Sequence, residues 1–315
     1  MRALITGVDG FIGSHLADLL VGRGWEVWGT TLRGDLTNVA HLGGRIRVRR
    51  CDVRERGRVR ALLRESGPEV IFHLAAQSRP DLSWRDPWTT MEVNVLGTVN
   101  LLESIRELEL NPKILVACSS AEYGPAERPL REDHPLRPLS PYAVSKVAQD
   151  LMAYQYHKNY GLRTYRVRIF GTTGPRKVGD ALADFASQIA EAERRGGGKV
   201  RVGNLEARRD LTDVRDMVRA LLLVVERGRE GEVYNACTGR AHRVGDLLER
   251  MVEMAGVRVE VETDPKKLRP SDEPLIVGDN RRIRRECGWK PEIPLSKTLE
   301  DVLEWWRGRF GVGGR

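Results

Sequence analysis

The sequence predicts an α/β protein in which a doubly wound parallel sheet is followed by a smaller C-terminal α/β cap. Two observations lead to this fold class. Short apolar runs alternate with amphipathic stretches through the first half of the chain, which is the pattern of repeated strand–helix units. Several runs, such as VIFHLA (70–75), are apolar on both faces, as strands buried inside a parallel sheet are. We expect one domain over 1–168 and a second over 169–315, interleaved through shared strands or helices.

The individual elements follow from these patterns. Six strands are predicted in the first half, at ALIT (3–6), VWGTT (27–31), IRVRR (46–50), VIFHLA (70–75), ILVACSS (114–120) and TYRVRIF (164–170). Helices are predicted between them, at FIGSHLADLLVGRG, RVRALLRES, 89–108 and YAVSKVAQDLMAYQYHKNY. The second half is expected to contain a helix after GTTGPRKVGD, a strand at VYNACTG (233–239), a helix at RVGDLLERMVEMAG and two more helices beyond DPKKLRPSDEP. The tail GRFGVGGR is expected to fray.

The composition favours small anionic ligands over nucleic acid or membrane. The chain has 52 Lys and Arg against 44 Asp and Glu, a formal net charge of +8, but no aromatic residues alternate with its basic clusters. No run approaches the ~20 apolar residues of a membrane span, and Met1 leads directly into a strand without a signal pattern. The four scattered cysteines predict free thiols and no metal site, and we expect a cytoplasmic protein.

A glycine-rich loop lies between the first strand and the first helix. ALITGVDGFIGSHLADLL places Gly7, Gly10 and Gly13 in a G-x-x-G-x-x-G spacing, with Phe11 and Ile12 before the last glycine. Glycine here permits a tight turn and a close approach of the backbone to a pyrophosphate, which then lies at the helix N-terminus. The order of strand, loop and helix therefore predicts a Rossmann-type dinucleotide site.

The end of the second strand indicates which dinucleotide binds. NAD enzymes usually place an acidic residue there for the ribose hydroxyls, whereas this chain has Thr31 and Arg33, which suit a 2′-phosphate. We therefore expect NADP(H); NAD(H) is the alternative if Asp35 supplies the acid. Further cofactor contacts are expected from Asp52 and Val53 at the adenine ring and from Leu74, Ala75 and Ala76 after the fourth strand.

Tyr142 and Lys146 are the candidate catalytic pair. They lie four residues apart in a helical pattern, SPYAVSKVAQDLM, so both side chains share one helix face. A phenol with a pKa of about 10 is a poor acid–base catalyst at neutral pH. We expect the ammonium of Lys146, together with an oxidised nicotinamide ring, to lower the pKa of Tyr142. Lys146 can also hold the nicotinamide ribose.

The motifs together resemble the extended short-chain dehydrogenase/reductase family over nearly the whole chain. The resemblance rests on the glycine loop, Asp52, HLAA, SSAEYG (119–124) and YAVSK. It implies work on nucleotide-linked sugars, with Tyr142 as acid/base, Lys146 positioning the cofactor and Ser119 hydrogen-bonding the sugar oxygen. HLAAQS, VGNLEARRDLTDVRD (202–216), LRPSDEPLIVGD (268–279) and CGWKPEIPLSKTLEDVLEWW (287–306) are similar to the branch that contains GDP-mannose 4,6-dehydratase and GDP-4-keto-6-deoxymannose reductase.

This branch implies a set of substrate contacts and an oligomer. Arg209 and Arg269 would clamp the diphosphate of a GDP-linked hexose, with Asn204 and Asp272 near the nucleoside. The other residues expected at the substrate are Gln77, Ser78, Ser120, Ala121, Glu122, Gly171 and Thr172. The branch usually has F-N-H where this chain has Phe170-Gly171-Thr172, so Thr172 or Thr173 would replace the asparagine. The resemblance also implies a homodimer or homotetramer, in which helices 89–108 and 141–159 could form a bundle between subunits; their apolar faces could equally be buried inside the monomer.

SSAEYG indicates which reaction is run. After oxidation at C4, a dehydratase needs a base for the C5 proton, and this family of enzymes carries a carboxylate two residues after the hydroxyl residue. Here that position is Ala121, and Glu122 is one residue later, facing away from the sugar if the strand is still extended. The expected function is therefore NADPH-dependent reduction of the C4 keto group of a GDP-4-keto-6-deoxyhexose, with GDP-rhamnose the favoured product.

Three alternatives stay open at this point. A dehydratase could use Glu122 or a bulged strand end for the proton transfer. A nucleotide-sugar 4-epimerase needs only Ser119, Tyr142 and Lys146, although Arg33 weighs against the NAD that such enzymes usually hold. A non-catalytic nucleotide sensor or a nucleic-acid-associated protein could use the same fold, since fold alone does not fix function.

Overall fold

The computed structural model of the chain describes residues 1–268 and 273–312. Its centre is a seven-stranded, all-parallel sheet with helices on both faces, which confirms the predicted fold class. The strands of this sheet are β1 (Arg2–Thr6), β2 (Glu26–Thr31), β3 (Ile46–Arg50), β4 (Val70–His73), β5 (Lys113–Ser119), β6 (Arg163–Ile169) and β10 (Val233–Ala236). The spatial order is β10-β6-β5-β4-β1-β2-β3. The chain reverses its winding between β1 and β4, and their carboxyl ends therefore open the crevice where such sheets bind ligands.

The helices on the two faces of the sheet include every one predicted from the first half. They are α1 (Phe11–Gly22), α2 (Arg56–Ser66), α3 (Pro80–Arg85), α4 (Pro87–Met91), α5 (Gly97–Glu107), α6 (Pro141–Tyr160) and α8 (Val214–Arg227). The helix predicted over 89–108 contains a π-helical turn over Glu92–Leu96 between α4 and α5. At this turn the buried Asn94 donates to the carbonyl of Gln77 and to the hydroxyl of Ser145.

The C-terminal half forms a smaller α/β layer at the carboxyl edge of the sheet. Its strands are β7 (Gly171–Thr173), β8 (Gly198–Val202), β9 (Arg208–Asp213), β11 (Ala241–Arg243), β12 (Val259–Thr263) and β13 (Leu275–Ile276). Its helices are α7 (Ala181–Arg195), α9 (Val244–Glu253), α10 (Arg281–Cys287) and α11 (Leu295–Phe310). Strand β9 pairs with β7, β11 and β13, and β12 pairs with β8.

Two features join the halves of the molecule. Strand β10 comes from the second half of the sequence but pairs with β6 in the central sheet, from Val233 opposite Arg166 to Ala236 opposite Ile169. Helix α8 packs its apolar face, including Met217 and Leu221, into the same core as β1 and α1. A separate core under the smaller layer is formed by α7, α9 and α11.

The local sequence explains where α6, the helix that carries Tyr142 and Lys146, begins and ends. Ser140 caps α6, because its hydroxyl accepts a hydrogen bond from the backbone of Ala143 at 3.1 Å. Pro141 occupies the first helical position, and Gly161 ends the helix in the left-handed region with φ of 69°. Tyr142 is thereby fixed in the first turn of the helix, at the edge of the crevice.

Two further sequence predictions concern the cysteines and membrane-spanning helices. All four cysteines are free and buried. Within the described ranges, no helix combines the length and apolar character required to cross a bilayer.

Candidate active site

The glycine loop has the close packing that a dinucleotide site requires. Gly7 adopts φ of 74°, and a Cβ there would lie 3.2 Å from the Cα of Ala75. A Cβ on Gly13 would lie 2.2 Å from the carbonyl oxygen of Gly7, so a side chain at this position would push the loop open. No side chain caps the N-terminus of α1, and its first backbone N–H groups can therefore bind a pyrophosphate. The loop thus fits the diphosphate of a dinucleotide.

A buried polar chain fixes the backbone that faces this loop. The hydroxyl of Thr6 accepts from the backbone N–H groups of Leu74 and Ala75, at 3.1 and 3.0 Å. The same hydroxyl contacts Nδ1 of His73 at 2.9 Å, and Nε2 of His73 lies 3.0 Å from the hydroxyl of Thr98. Burial, with a contribution from the charge of Lys146, lowers the pKa of His73 to about 3. His73 is therefore a neutral structural link between the strands and not a proton donor to the site.

A carboxylate that the sequence argument did not consider lies beside the end of β2 and comes from the glycine loop. The hydroxyl of Thr31 donates to the carboxylate of Asp9 at 2.5 Å, and Asp9 itself lines the crevice from within the glycine loop. Thr30 and Leu32 also line the crevice, whereas Arg33 is exposed and does not. Asp9 therefore supplies an acid at the end of β2 from the preceding loop, whereas the sequence argument considered only Asp35 for this role.

Asp52 and Val53 line the crevice beyond Thr30, where they were expected at the adenine ring. The Asp52 carboxylate is held by Arg54, through Nε at 3.0 Å and Nη2 at 2.7 Å, and by the backbone N–H of the same residue. The Arg54 hydrogen bonds lower the pKa of Asp52. Asp52 is thus an ionised acceptor in a fixed orientation.

Ser119, Tyr142 and Lys146 converge at the floor of the crevice. Ser119 is the last residue of β5, while Tyr142 and Lys146 project from the first two turns of α6. The ammonium of Lys146 donates to the carbonyl of Ala117 at 2.9 Å and lies 5.9 Å from the centroid of the Tyr142 ring. A phenol, a hydroxyl and an ammonium therefore share one wall of the site.

The Lys146 ammonium does not produce the expected lowering of the Tyr142 pKa in this arrangement. Burial raises the pKa of Tyr142 to about 12, and the hydrogen bond with Ser119 offsets only part of this effect. Burial also lowers the pKa of Lys146. The ammonium is directed to the Ala117 carbonyl, and it is not the phenol's hydrogen-bond partner. Tyr142 is therefore a protonated acid over the neutral pH range.

Glu122 does not enter the crevice, although the reason differs from the one expected. Strand β5 ends at Ser119, and residues Ser120–Glu122 form a 3-10 turn, so strand alternation does not apply there. The carboxylate of Glu122 turns back under the strand and accepts from the backbone N–H of Ser119 at 2.7 Å. Ser120 and Ala121 line the crevice, whereas Glu122 is fully buried behind it.

The expected substrate residues divide into those that line the crevice and those that do not. Ser78, Gly171, Thr172 and Arg209 line it, and Arg209 is fixed by its Nη1 donating to the Glu273 carbonyl. Gln77 bonds instead to Thr90 and the Arg79 carbonyl, and Asn204 accepts from the backbone of Glu206. Neither of these two is among the lining residues. Arg269 and Asp272 lie outside the described residues.

The close approach of the neighbouring strand explains why position 171 is a glycine. Strand β7 pairs with β9, and a Cβ on Gly171 would lie 2.6 Å from the carbonyl oxygen of Asp210. The neighbouring Thr172 hydroxyl donates to the carbonyl of Phe170 at 3.0 Å. An asparagine therefore cannot be accommodated at 171 without moving β9, and Thr172 is the polar side chain that remains at this wall.

The crevice as a whole has a volume of about 560 Å³ and extends from the adenine end to the smaller layer. Lys177 also lines it and places its ammonium 4.7 Å from the centroid of the Phe11 ring. Lining residues that were not among the predicted site residues are Asp9, Thr30, Leu32, Cys51, Pro80, Val93, Ala117, Cys118, Ile169, Phe170, Lys177, Asp210 and Ile276. Lys177 could have been noticed as a cation in the Gly/Pro-rich loop before α7.

The fold and the Ser–Tyr–Lys wall define an extended short-chain dehydrogenase/reductase. More narrowly, the chain belongs to the GDP-mannose 4,6 dehydratase family, whose model matches residues 4–302. It is 30% identical to GDP-6-deoxy-D-mannose reductase of Pseudomonas aeruginosa over 98% of both chains. It is 31% identical to UDP-glucose 4-epimerase of Mycolicibacterium smegmatis, covering 98% of this chain and 99% of that protein.

A solved structure agrees with the fold of the whole chain. The structure of RMD from Pseudomonas aeruginosa complexed with NADPH superposes with a TM-score of 0.86 and 29% identity, covering 98% of this chain and 100% of that chain. The relatives are thus sugar-nucleotide reductases, dehydratases and epimerases built on one fold, and the choice among these reactions rests on the residues in the crevice.

Proposed function

We propose that this protein is an NADPH-dependent reductase of the C4 keto group of a GDP-4-keto-6-deoxyhexose, with GDP-rhamnose as the favoured product. Residues 1–168 would hold the cofactor and the reacting groups, and residues 169–315 would mainly bind the sugar nucleotide. One observation carries the choice of reaction. Ala121 lines the crevice at the position where a dehydratase needs a carboxylate, and Glu122 is buried behind Ser119.

Each of the three wall residues has a task in this reduction. NADPH, when bound, supplies the hydride that reaches the C4 carbon. Ser119 donates to the ketone oxygen and holds it beside the Tyr142 phenol, and Tyr142 transfers its proton to that oxygen as negative charge develops. Lys146 anchors the nicotinamide ribose, and the hydrogen bond to the Ala117 carbonyl orients the Lys146 ammonium group. No group in this set has to remove a proton from carbon.

NADP(H) as cofactor is supported by the glycine loop and by the NADPH-bound structure of the similar protein. Asp9 disfavours binding of NADP(H), since a carboxylate near the adenosine ribose repels a 2′-phosphate. We therefore expect a smaller preference for NADP(H) over NAD(H) than Thr31 and Arg33 would produce without Asp9.

A 4-epimerase is the second candidate, because the same three side chains suffice for it and the M. smegmatis epimerase is equally similar. A matrix of substrates and cofactors tests both. The purified protein is given GDP-mannose alone, UDP-glucose alone, or GDP-4-keto-6-deoxymannose with NADPH or NADH, and products are followed by mass and chromatography. Turnover only of the keto sugar, with consumption of reductant, is expected. Interconversion of UDP-glucose without reductant would establish the epimerase instead.

We also propose that two copies associate through the face formed by α4, the π-turn and α6. Large apolar side chains are exposed on these helices, namely Trp88, Leu96, Val144, Leu151 and Tyr154. Such an apolar surface suits an interface between subunits. Light scattering with the Leu151→Asp variant tests this, and a wild-type monomer would contradict it.

A further inference from the structure

Glu122 is a buried acid for which the proposed reaction has no use. Its side chain is fully buried, yet it is tied to the catalytic serine. Oε1 of Glu122 accepts from the backbone N–H of Ser119 at 2.7 Å, and the hydroxyl of Ser119 accepts from the backbone N–H of Ala121 at 3.2 Å. This reciprocal capping closes the turn that follows β5 and sets the backbone from which the Ser119 hydroxyl projects.

The second oxygen of Glu122 lacks a hydrogen-bond donor among the described residues. It lies 3.3 Å from Nε of Arg168, but that N–H is directed to Oδ2 of Asp150 at 2.7 Å. Oδ1 of Asp150 accepts from Nη1 of Arg166 at 2.5 Å, so the Asp150 carboxylate takes both guanidinium groups. Carboxyl oxygens of Glu122 and Asp150 lie within 4.8 Å of each other.

A proton on Glu122 resolves this arrangement. A buried carboxylate oxygen without a donor is costly, whereas a protonated oxygen becomes a donor itself. Asp150 is a charged acceptor within hydrogen-bonding reach of Glu122, and an O–H···O⁻ bond between two carboxyl groups is among the strong hydrogen bonds. The remaining oxygen of Glu122 still accepts from Ser119.

We propose that Glu122 is a positioning residue that works as an uncharged carboxylic acid, donating through Oε2–H to Asp150 and holding the Ser119 amide through Oε1. Its effect on turnover rests on the proposed reductase function, whereas its protonation does not. Ser119 is thereby held beside Tyr142. Glu122 serves as a hydrogen-bonding group within the fold and not as a base that removes a proton from the substrate.

The charges around Glu122 support a neutral acid. The titratable and charged groups that face it are Cys118 on β5, Tyr142, Lys146 and Asp150 on α6, and Arg168 on β6, with Arg166 beyond Asp150. Burial raises the pKa of Glu122 well above its usual range, and the negative charge of Asp150 adds to this. Burial opposes ionisation of Asp150 too, but the charges of Arg168 and Arg166 outweigh it and lower that pKa.

The pH dependence of stability tests the protonation without any substrate. A carboxyl group with a raised pKa stabilises the folded state below the pKa of the unfolded chain, and this stabilisation is lost as pH rises towards the folded pKa. Glu122→Gln keeps a donor and an acceptor but does not titrate. The apparent Tm of this variant, minus that of the wild type, should therefore increase between pH 5 and pH 8, by on the order of 2–4 °C.

Glu127→Gln is the matched control, because Glu127 is exposed and lies five residues further along the chain. Its Tm difference from the wild type should be flat over the same range. A flat difference for Glu122→Gln, or one that decreases as pH rises, would overturn the proposal. A flat difference is the result for an ionised Glu122 stabilised by Arg168, since its folded pKa would then be lowered and its stabilisation would be complete above the pKa of the unfolded chain.

Turnover tests the positioning role separately. Glu122→Leu should lower kcat on the order of 10²-fold with little change in KM, since it frees Ser119. Glu122→Gln should recover most of this loss. Equal losses in both variants would mean that the Glu122 proton itself moves during the reaction, and the proposal would fail. If the wild type shows no reductase activity, the proposed function fails while the Tm experiment still decides the protonation.

Discussion

The raised pKa of Tyr142 makes a specific prediction about how turnover depends on pH. The reduction starts from a protonated phenol, so its rate follows the fraction of Tyr142 that still carries its proton. With burial holding the pKa at about 12, that fraction stays near one from neutral pH to pH 9. The test is therefore to compare the turnover of the wild type and of Tyr142→Phe as the pH is raised from 7 to 9.

The change of turnover with pH distinguishes a Tyr142 phenol whose pKa is raised by burial from one whose pKa is lowered by Lys146. With a pKa of about 12, only about 0.1% of Tyr142 is ionised at pH 9, and kcat/KM for reduction should change by less than about twofold. If Lys146 instead lowered the pKa to about 7, the protonated fraction would fall from about one half to about 1%. The rate would then fall about 50-fold.

The assay is the loss of NADPH absorbance with a GDP-4-keto-6-deoxyhexose, under conditions where kcat/KM is measured directly. Tyr142→Phe should lower kcat/KM by roughly 10²–10⁴, the usual contribution of a general acid, while cofactor affinity by fluorescence titration stays near wild type. A steep alkaline decline in the wild type that is absent from Tyr142→Phe would refute the reasoning from burial. Unchanged turnover in the variant would remove Tyr142 from the mechanism.

Three further predictions follow from the crevice and its support. Ala121→Glu should produce some dehydration of GDP-mannose, detected as a keto product, whereas Ala121→Gln should not; no product from either would argue against the role assigned to position 121. Asp9→Asn should raise affinity for NADP⁺ about tenfold, worth ~1.4 kcal/mol, without a similar gain for NAD⁺ in binding titrations. Asp150→Ala should lower the free energy of unfolding by about 3–5 kcal/mol because it removes the carboxylate that binds two buried guanidinium groups, while the half-exposed Asp184→Ala control should cost at most ~1 kcal/mol in the same denaturant titration.

Much of the fold could be predicted because its strands are short, continuous and apolar. The strand predicted over 46–50 matches β3, and the other five in the first half agree with β1, β2, β4, β5 and β6 within two residues at each end. The sequence argument missed β9, because RRDLTD carries charge at four of its six positions and its pairing with β7 is set by the tertiary structure. Helix α8 was missed as well, although VRDMVRALLLVVER has a helical apolar face.

The site shows the same division between local and long-range information. The spacing of Tyr142 and Lys146 is local to one helix, and the structure places them together. The direction of the Lys146 ammonium depends on the Ala117 carbonyl of another element, and the pKa of Tyr142 depends on burial from several sides. Asp9 was overlooked because the argument looked for an acid at the end of β2, while the fold supplies one from the adjacent glycine loop.

The most direct test of the proposed reaction is to follow a deuterium label from the transferable position of NADPH. The protein is incubated with labelled NADPH and GDP-4-keto-6-deoxymannose, and the sugar is analysed by mass spectrometry and NMR. We expect one deuterium at C4 of a 6-deoxyhexose for each NADPH oxidised. Recovery of the keto sugar unreduced, with no label in the sugar and no NADPH consumed, would contradict the account.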